Sequence, residues 1–87
     1  MLKDFDTQWQ TAGFTCESRT EESKTRPGGF VTHWIVYSKT YGSLFQGMET
    51  GYSRKFTFEI SCVKANELAQ NAHRIIDQAV SAARRAV

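Results

Sequence analysis

The chain reads as an α+β domain: a short N-terminal helix, an antiparallel meander sheet of about four strands, and a long C-terminal amphipathic helix packed on one sheet face. Three observations predict this. The run FVTHWIVYS is dense in β-branched and aromatic residues, the composition of a half-buried or buried strand. Over 63–86, Ala65, Leu68, Ala69, Ala72, Ile75, Ile76, Ala79, Val80 and Ala83 recur at the three-and-four spacing of one helix face, with Glu67, Gln70, Asn71, Arg74, Gln78, Ser81 and Arg85 on the other. Between these two segments, glycine-bearing turns follow short apolar runs, as in a meander.

Taken in order, Leu2, Phe5, Trp9 and Ala12 fall at offsets that line one face of a helix, with Asp4 or Asp6 as N-cap and Gly13 as the left-handed residue that ends it. The competing reading is an ordered arm that pins Phe5 and Trp9 to the core. In FTCES, Phe14, Cys16 and Ser18 alternate with Thr15 and Glu17, a strand. SRTEESKTRPGG lacks apolar residues and holds the single proline of the chain, so 18–29 is expected to be a flexible polar loop. FVTHWIVYS divides into Phe30, Thr32, Trp34 and Val36 on one face and Val31, His33, Ile35 and Tyr37 on the other. Bulk on both faces marks a central strand, covered by a helix on one side and by the N-terminal segment or a partner on the other. LFQGMET is the third strand, with Gly47 a bulge candidate. KFTFEISC alternates Phe56, Phe58, Ile60 and Cys62 with polar residues, the pattern of a half-buried fourth strand.

With 87 residues, the chain (1–87) is expected to form one domain, since half that length buries too little surface to offset its conformational entropy. A net charge of +2 is far from both the strong basicity of dedicated nucleic-acid binders and the acidity of a nucleic-acid mimic. No charged segment leads into an apolar run, and no stretch of 18 apolar residues occurs. A cytoplasmic protein without a membrane span is therefore expected. Cys16 and Cys62 carry no paired spacing, so free thiols are expected ahead of a disulfide.

Catalytic and metal chemistry find little purchase. Cys16, His33, Cys62 and His73 are scattered rather than two to five residues apart, so no metal is expected. His33 and His73 read as packed structural histidines, and Glu21, Glu22 and Glu59 form no fixed acid–base pair. Gly28 and Gly29 precede a strand rather than a helix N-terminus, so no phosphate cradle forms. The expectation is a non-enzyme with no catalytic residues and no cofactor.

Two binding readings remain. Lys39, Tyr41, Tyr52, Arg54 and Lys55, joined by Arg26, supply rings and cations around the hairpin ends. Tyr and Arg are enriched at protein hot spots, and the same residue types stack on bases and attract phosphates. The run RPGGFVTH carries Arg26, Gly29, Phe30 and Val31 in the manner of an RNA-recognition strand, but Gly28 and His33 stand where stacking aromatics belong. The turn after strand three keeps Tyr52, Arg54 and Lys55 together whatever the strand lengths, making these the strongest candidates. The alanine stripe of the last helix could pair with its twin, but the sheet needs that stripe as cover, so a monomer is expected ahead of a homodimer.

The stretch from Trp34 to Gly51, a W-x-V strand followed by F-x-G-M-x-x-G, and the layout of meander sheet plus one amphipathic helix resemble small phage-encoded accessory proteins, including anti-CRISPR inhibitors. The resemblance implies a stoichiometric inhibitor, acting in the host cytoplasm, that binds a larger host or defence-system protein complex. Many such inhibitors are strongly acidic and this chain is not, so it implies steric occlusion rather than DNA mimicry. A small nucleic-acid-binding module with weak nucleic-acid contacts is the alternative.

Overall fold

In the computed structural model, which describes residues 2–85, the chain is a four-stranded antiparallel sheet crossed by one helix. The strands β1 (Thr7–Thr11), β2 (Phe14–Glu22), β3 (Phe30–Ser38) and β4 (Gly42–Gly51) lie in sequence order, and α1 (Arg54–Arg85) returns across one face. The small α+β domain and the meander are as the sequence predicts. Three element boundaries are not.

The N-terminal helix is absent: the segment forms β1, the fourth strand of the sheet. Pairing decides against the helix, because Trp9 opposite Cys16 and Gln8 opposite Glu17 continue the ladder, and Thr7 and Thr11 are β-branched residues that favour a strand. Leu2 and Trp9, expected on one face, end up on opposite faces of the sheet. Gly13 is left-handed (φ 84°), as expected, but beside Ala12 (φ 52°) it makes the tight hairpin turn between β1 and β2 rather than a helix end. The first residues form an ordered arm, as in the competing reading, but only Trp9 packs against the core; Phe5 stays exposed.

The expected fourth strand is the first two turns of α1. Alternation of Phe56, Phe58, Ile60 and Cys62 is real, but the residues that face the sheet are the small polar ones between them, Thr57 and Ser61, followed by Ala65 and Ala69. These recur every four residues. Thr57 Oγ1 donates to the Ser53 carbonyl at 2.7 Å and Ser61 Oγ to the Thr57 carbonyl at 3.0 Å, so each hydroxyl is satisfied within the helix and can be buried. Ser53 caps the start, its hydroxyl accepting from Phe56 N at 3.2 Å. Ala86, where the helix is expected to end, lies outside the described residues.

The polar loop is also shorter than expected. Ser18–Glu22 belong to β2, pairing as far as Glu22 with Phe30, and Ser18 is buried. The β2–β3 connection is left with residues 23–29, tied by Ser23 N to the Gly29 carbonyl at 2.9 Å.

The two faces of β3 are those read from the sequence. Thr32, Trp34 and Val36 face α1 and are buried with Phe14, Cys16, Ala65 and Ala69. Val31, His33, Ile35 and Tyr37 face away, under the arm at one end, where Leu2 borders a hollow with His33 and Ile35. Gly47 is not a bulge; the register shift lies opposite Val36 and Tyr37, leaving Leu44 as the extra residue. Gly47 serves the Trp34 indole instead. A Cβ there would sit 2.4 Å from Trp34 Cζ2, so the ring lies directly on the backbone of its neighbour strand. Gly47→Ala should therefore lower stability by about 1–3 kcal/mol in urea unfolding, the cost of overpacking a close contact.

Candidate functional site

The residues singled out in the sequence divide between the two ends of the sheet. The β2–β3 loop with Arg26, the β4–α1 corner with Tyr52, and the first helical turn with Arg54 and Lys55 share one end. Lys39 and Tyr41 sit in the β3–β4 turn at the other, where Tyr41 N donates to Ser38 Oγ at 2.8 Å. A single copy of the chain thus brings Arg26, Tyr52, Arg54 and Lys55 to one end and leaves Lys39 and Tyr41 a full strand length away.

At the first end, Phe30 opens β3 and Arg54 opens α1. The Arg54 guanidinium lies over the Phe30 ring, 5.1 Å from its centre, and donates to the Thr20 carbonyl at 3.0 Å. Arg54 is therefore a clamp between helix and sheet, with its charge partly engaged. Lys55 reaches Glu59 only at 3.9 Å and stays largely in solvent. Tyr52 is 71% exposed. A hollow beside Arg54 and Lys55 is lined also by Asp6, Thr7, Thr20 and Phe58, mixing both signs of charge.

A second polar assembly, on the face away from the helix, escaped the sequence reading. Glu17 has 0% of its surface exposed, covered on this face by the residues that bond it. Its carboxylate accepts from Leu2 N at 2.8 Å, Gln8 Nε2 at 2.9 Å and the Tyr37 hydroxyl at 2.8 Å. Burial pushes the Glu17 carboxyl up, but the hydrogen bonds from Leu2, Tyr37 and Gln8 outweigh it and hold it below the usual 4.5. Tyr37 is raised above 10, first by that hydrogen bond and then by burial. Asp6 completes the attachment of the arm, accepting from Thr20 N at 2.7 Å while its own N–H donates to the Ser18 carbonyl at 2.8 Å. Reading Glu17 as a polar neighbour in an alternating strand gives no hint of this, because its partners come from residues 2, 8 and 37.

The remaining candidate chemistry is dispersed. His33 faces Glu21 at 3.3 Å and His73 faces Asp77 at 3.1 Å, at opposite ends of the molecule. Cys16 and Cys62 are free thiols. Burial, then the neighbouring Cys62, pushes Cys16 up to about 11, and burial, then Glu59, raises Cys62, so both stay protonated at neutral pH. Among the described residues no group of three His, Cys, Asp or Glu is placed to hold a metal. No described helix is long and apolar enough to cross a membrane.

No protein-family model matches the chain, and neither a curated protein nor a solved structure matches it.

Removing the Tyr37 hydroxyl in Tyr37→Phe deletes a hydrogen bond to a charged group and should cost about 1.5–3 kcal/mol in chemical denaturation. The pH response follows from the signs. With its folded pKa depressed, Glu17 contributes stability that is complete above its unfolded value and lost as pH falls through the folded one. Melting temperature should therefore drop in acid below about pH 4.5, and this drop should be smaller in Glu17→Gln.

Proposed function

We propose that the chain is a non-enzymatic protein-binding module that docks through the sheet end carrying Arg26, Tyr52 and Lys55, with Arg54 and Phe30 as its rigid base. The observation that carries this reading is Tyr52, a large ring 71% exposed at the corner where β4 meets α1. The corner is fixed on both sides: Gly51 pairs with Phe30, and Ser53 caps the helix. An exposed amphipathic ring on a backbone fixed on both sides, flanked by cations, has the composition of an interface hot spot. The layout favours a phage-type inhibitor of the anti-CRISPR kind, which would block a larger host or defence complex by occupying a surface in the host cytoplasm.

A nucleic-acid module is the second reading, and the charges weigh against it. Asp6 lines the hollow beside Arg54 and Lys55, Glu59 neighbours Lys55, and Lys39 and Tyr41 lie at the far end of the same chain. A strand of phosphates would meet both signs of charge here rather than a continuous basic track.

Affinity capture from nuclease-treated bacterial lysate, followed by titration of the recovered partner, separates the readings. Tyr52→Ala is expected to weaken binding by about tenfold or more, and Arg26→Ala by less, with little dependence on salt. Loss of every partner on nuclease treatment, or an affinity that falls steeply with the logarithm of salt concentration, would overturn the protein-binding reading in favour of nucleic acid.

A further inference from the structure

The helix outruns the sheet, and its apolar stripe runs on with it. Ala69 is the last buried residue of α1, Ala72 and Ile76 are half-buried, and every residue from Asp77 to Arg85 is exposed. Ile76, Ala79, Val80 and Ala83 nevertheless continue the three-and-four spacing of Ala65, Ala69 and Ala72, so they point to the side on which the sheet has run out. Val80 is left 43% exposed. Where the overhang begins, the helix and the two hairpin turns enclose a hollow of about 250 Å3, bordered by Ala12, Tyr41, His73, Ile76 and Asp77.

We infer that the overhang of a second copy of the chain fills this space, the two helix tips packing antiparallel on their apolar stripes about a two-fold axis between residues 80 and 81.

Charge along one flank of the stripe points to a second copy. Asp77 and Arg84 are two turns apart and therefore stand on the same flank, beside Val80. An antiparallel twin brings this flank of both helices together, and an axis between 80 and 81 sets Asp77 opposite Arg84 of the second copy at both ends of the contact. Other alignments set like against like. An axis at 77 puts Asp77 against its twin, one at 84 puts Arg84 against its twin, and a parallel pair does both. Asp77 has an oxygen to spare, since only Oδ2 meets its own His73, at 3.1 Å, and the side chain stays 66% exposed. Among the described residues no carboxylate pairs with Arg84, whose helical neighbours one turn back are Val80 and Ser81.

The apolar residues agree with the same axis. Val80 comes to lie beside Val80 of the second copy, and Ala79 opposite its Ala83, so that small side chains at the crossing let the helix axes approach to about 8 Å. Residue 85 of the second copy stands level with Ile76, the last residue over the sheet, so its tip reaches the hollow and takes up the layer that the sheet vacates. A monomer is expected from the sequence because the sheet needs the alanine stripe as cover. That holds as far as Ile76, and beyond it the sheet makes no claim on the stripe. The contact is short and belongs with interfaces below about 1,200 Å2, so the dimer is expected to be weak. It leaves the Tyr52 ends free and does not depend on the docking proposal, and its test measures association of the chain alone.

Sedimentation equilibrium of the full chain from about 1 µM to about 1 mM is expected to show a mass that rises toward twice that of the chain. Asp77→Lys and Arg84→Glu each oppose like charges across the axis and should each weaken association about fivefold or more. The double variant opposes Lys and Glu again and should return to within about threefold of the native constant, the coupling that only facing residues show. Val80→Glu sets two carboxylates side by side at the axis and should weaken association about tenfold or more. Ser81→Glu, on the side of the helix turned away from the second copy, should leave it unchanged. Circular dichroism checks that each of these exposed-site variants keeps its fold. A monomer throughout the range, a double variant no stronger than the weaker single, or association lost in Ser81→Glu and kept in Val80→Glu would each overturn the inference.

Discussion

The indole of Trp34 resting on the bare backbone of Gly47 is the contact around which the rest of the molecule is arranged. Nothing larger than a hydrogen fits beneath it, so β3 and β4 hold one register, and a slip by one residue would drive a side chain into the ring. A flat aromatic on the sheet leaves a thin layer for the helix to cover, and α1 answers with Thr57, Ser61, Ala65 and Ala69, none larger than threonine. The indole N–H then finds Glu49, and Glu49 finds Lys64 on the helix, satisfying the one polar atom of the ring as its buried position requires. One glycine thus fixes strand register, helix composition and the ion pair that closes the β4 side.

The other face is built by a different logic. Where the helix side packs Trp34, Phe14 and Val36 under small helix residues, the face away from it centres on a carboxylate with no exposed surface. Glu17 is tolerated because its three donors come from three separate segments, which it thereby ties together. The arm is held by polar bonds, with Leu2 as its apolar contact on that face, so acid loosens this face. The sheet is in this sense two structures back to back, one held by shape and one by charge.

How much of this the sequence shows depends on whether a signal is local. The two faces of β3 are legible because alternation of large side chains has one structural solution, and 63–85 is legible because nine apolar residues keep helical spacing across it. The first two turns of α1 are not. Phe56, Phe58, Ile60 and Cys62 fit a strand, and the contrary signal, a small residue every fourth position from Thr57 to Ala69, is visible only when threonine and serine count as core. That misreading also hid Phe56, which a strand would bury and the helix turns outward. Trp9 is a core ring, as its size and position suggest, but its helical offset from Leu2 is coincidence, since the two residues pack on opposite faces. At the candidate site, the separation of Tyr41 from Tyr52 follows from β4 running its full ten residues, whereas Glu17 draws on partners as far as 20 residues away and leaves no local trace.

The helix, with 32 residues, outruns the strands beneath it, and the molecule measures 58 × 19 × 18 Å with a radius of gyration of 15.5 Å. A spherical chain of this length would have a radius of gyration of about 12 Å. Chain that could have thickened the core is laid out lengthwise instead, so the protein behaves mechanically as a short strut. Along the strands a sheet and a helix run side by side and resist bending together better than either alone, and beyond them the helix carries the remaining length by itself. Anything that grips both ends at once reads a distance as well as a surface, and a strut of fixed length rejects targets whose contact points are spaced wrongly even when each point fits.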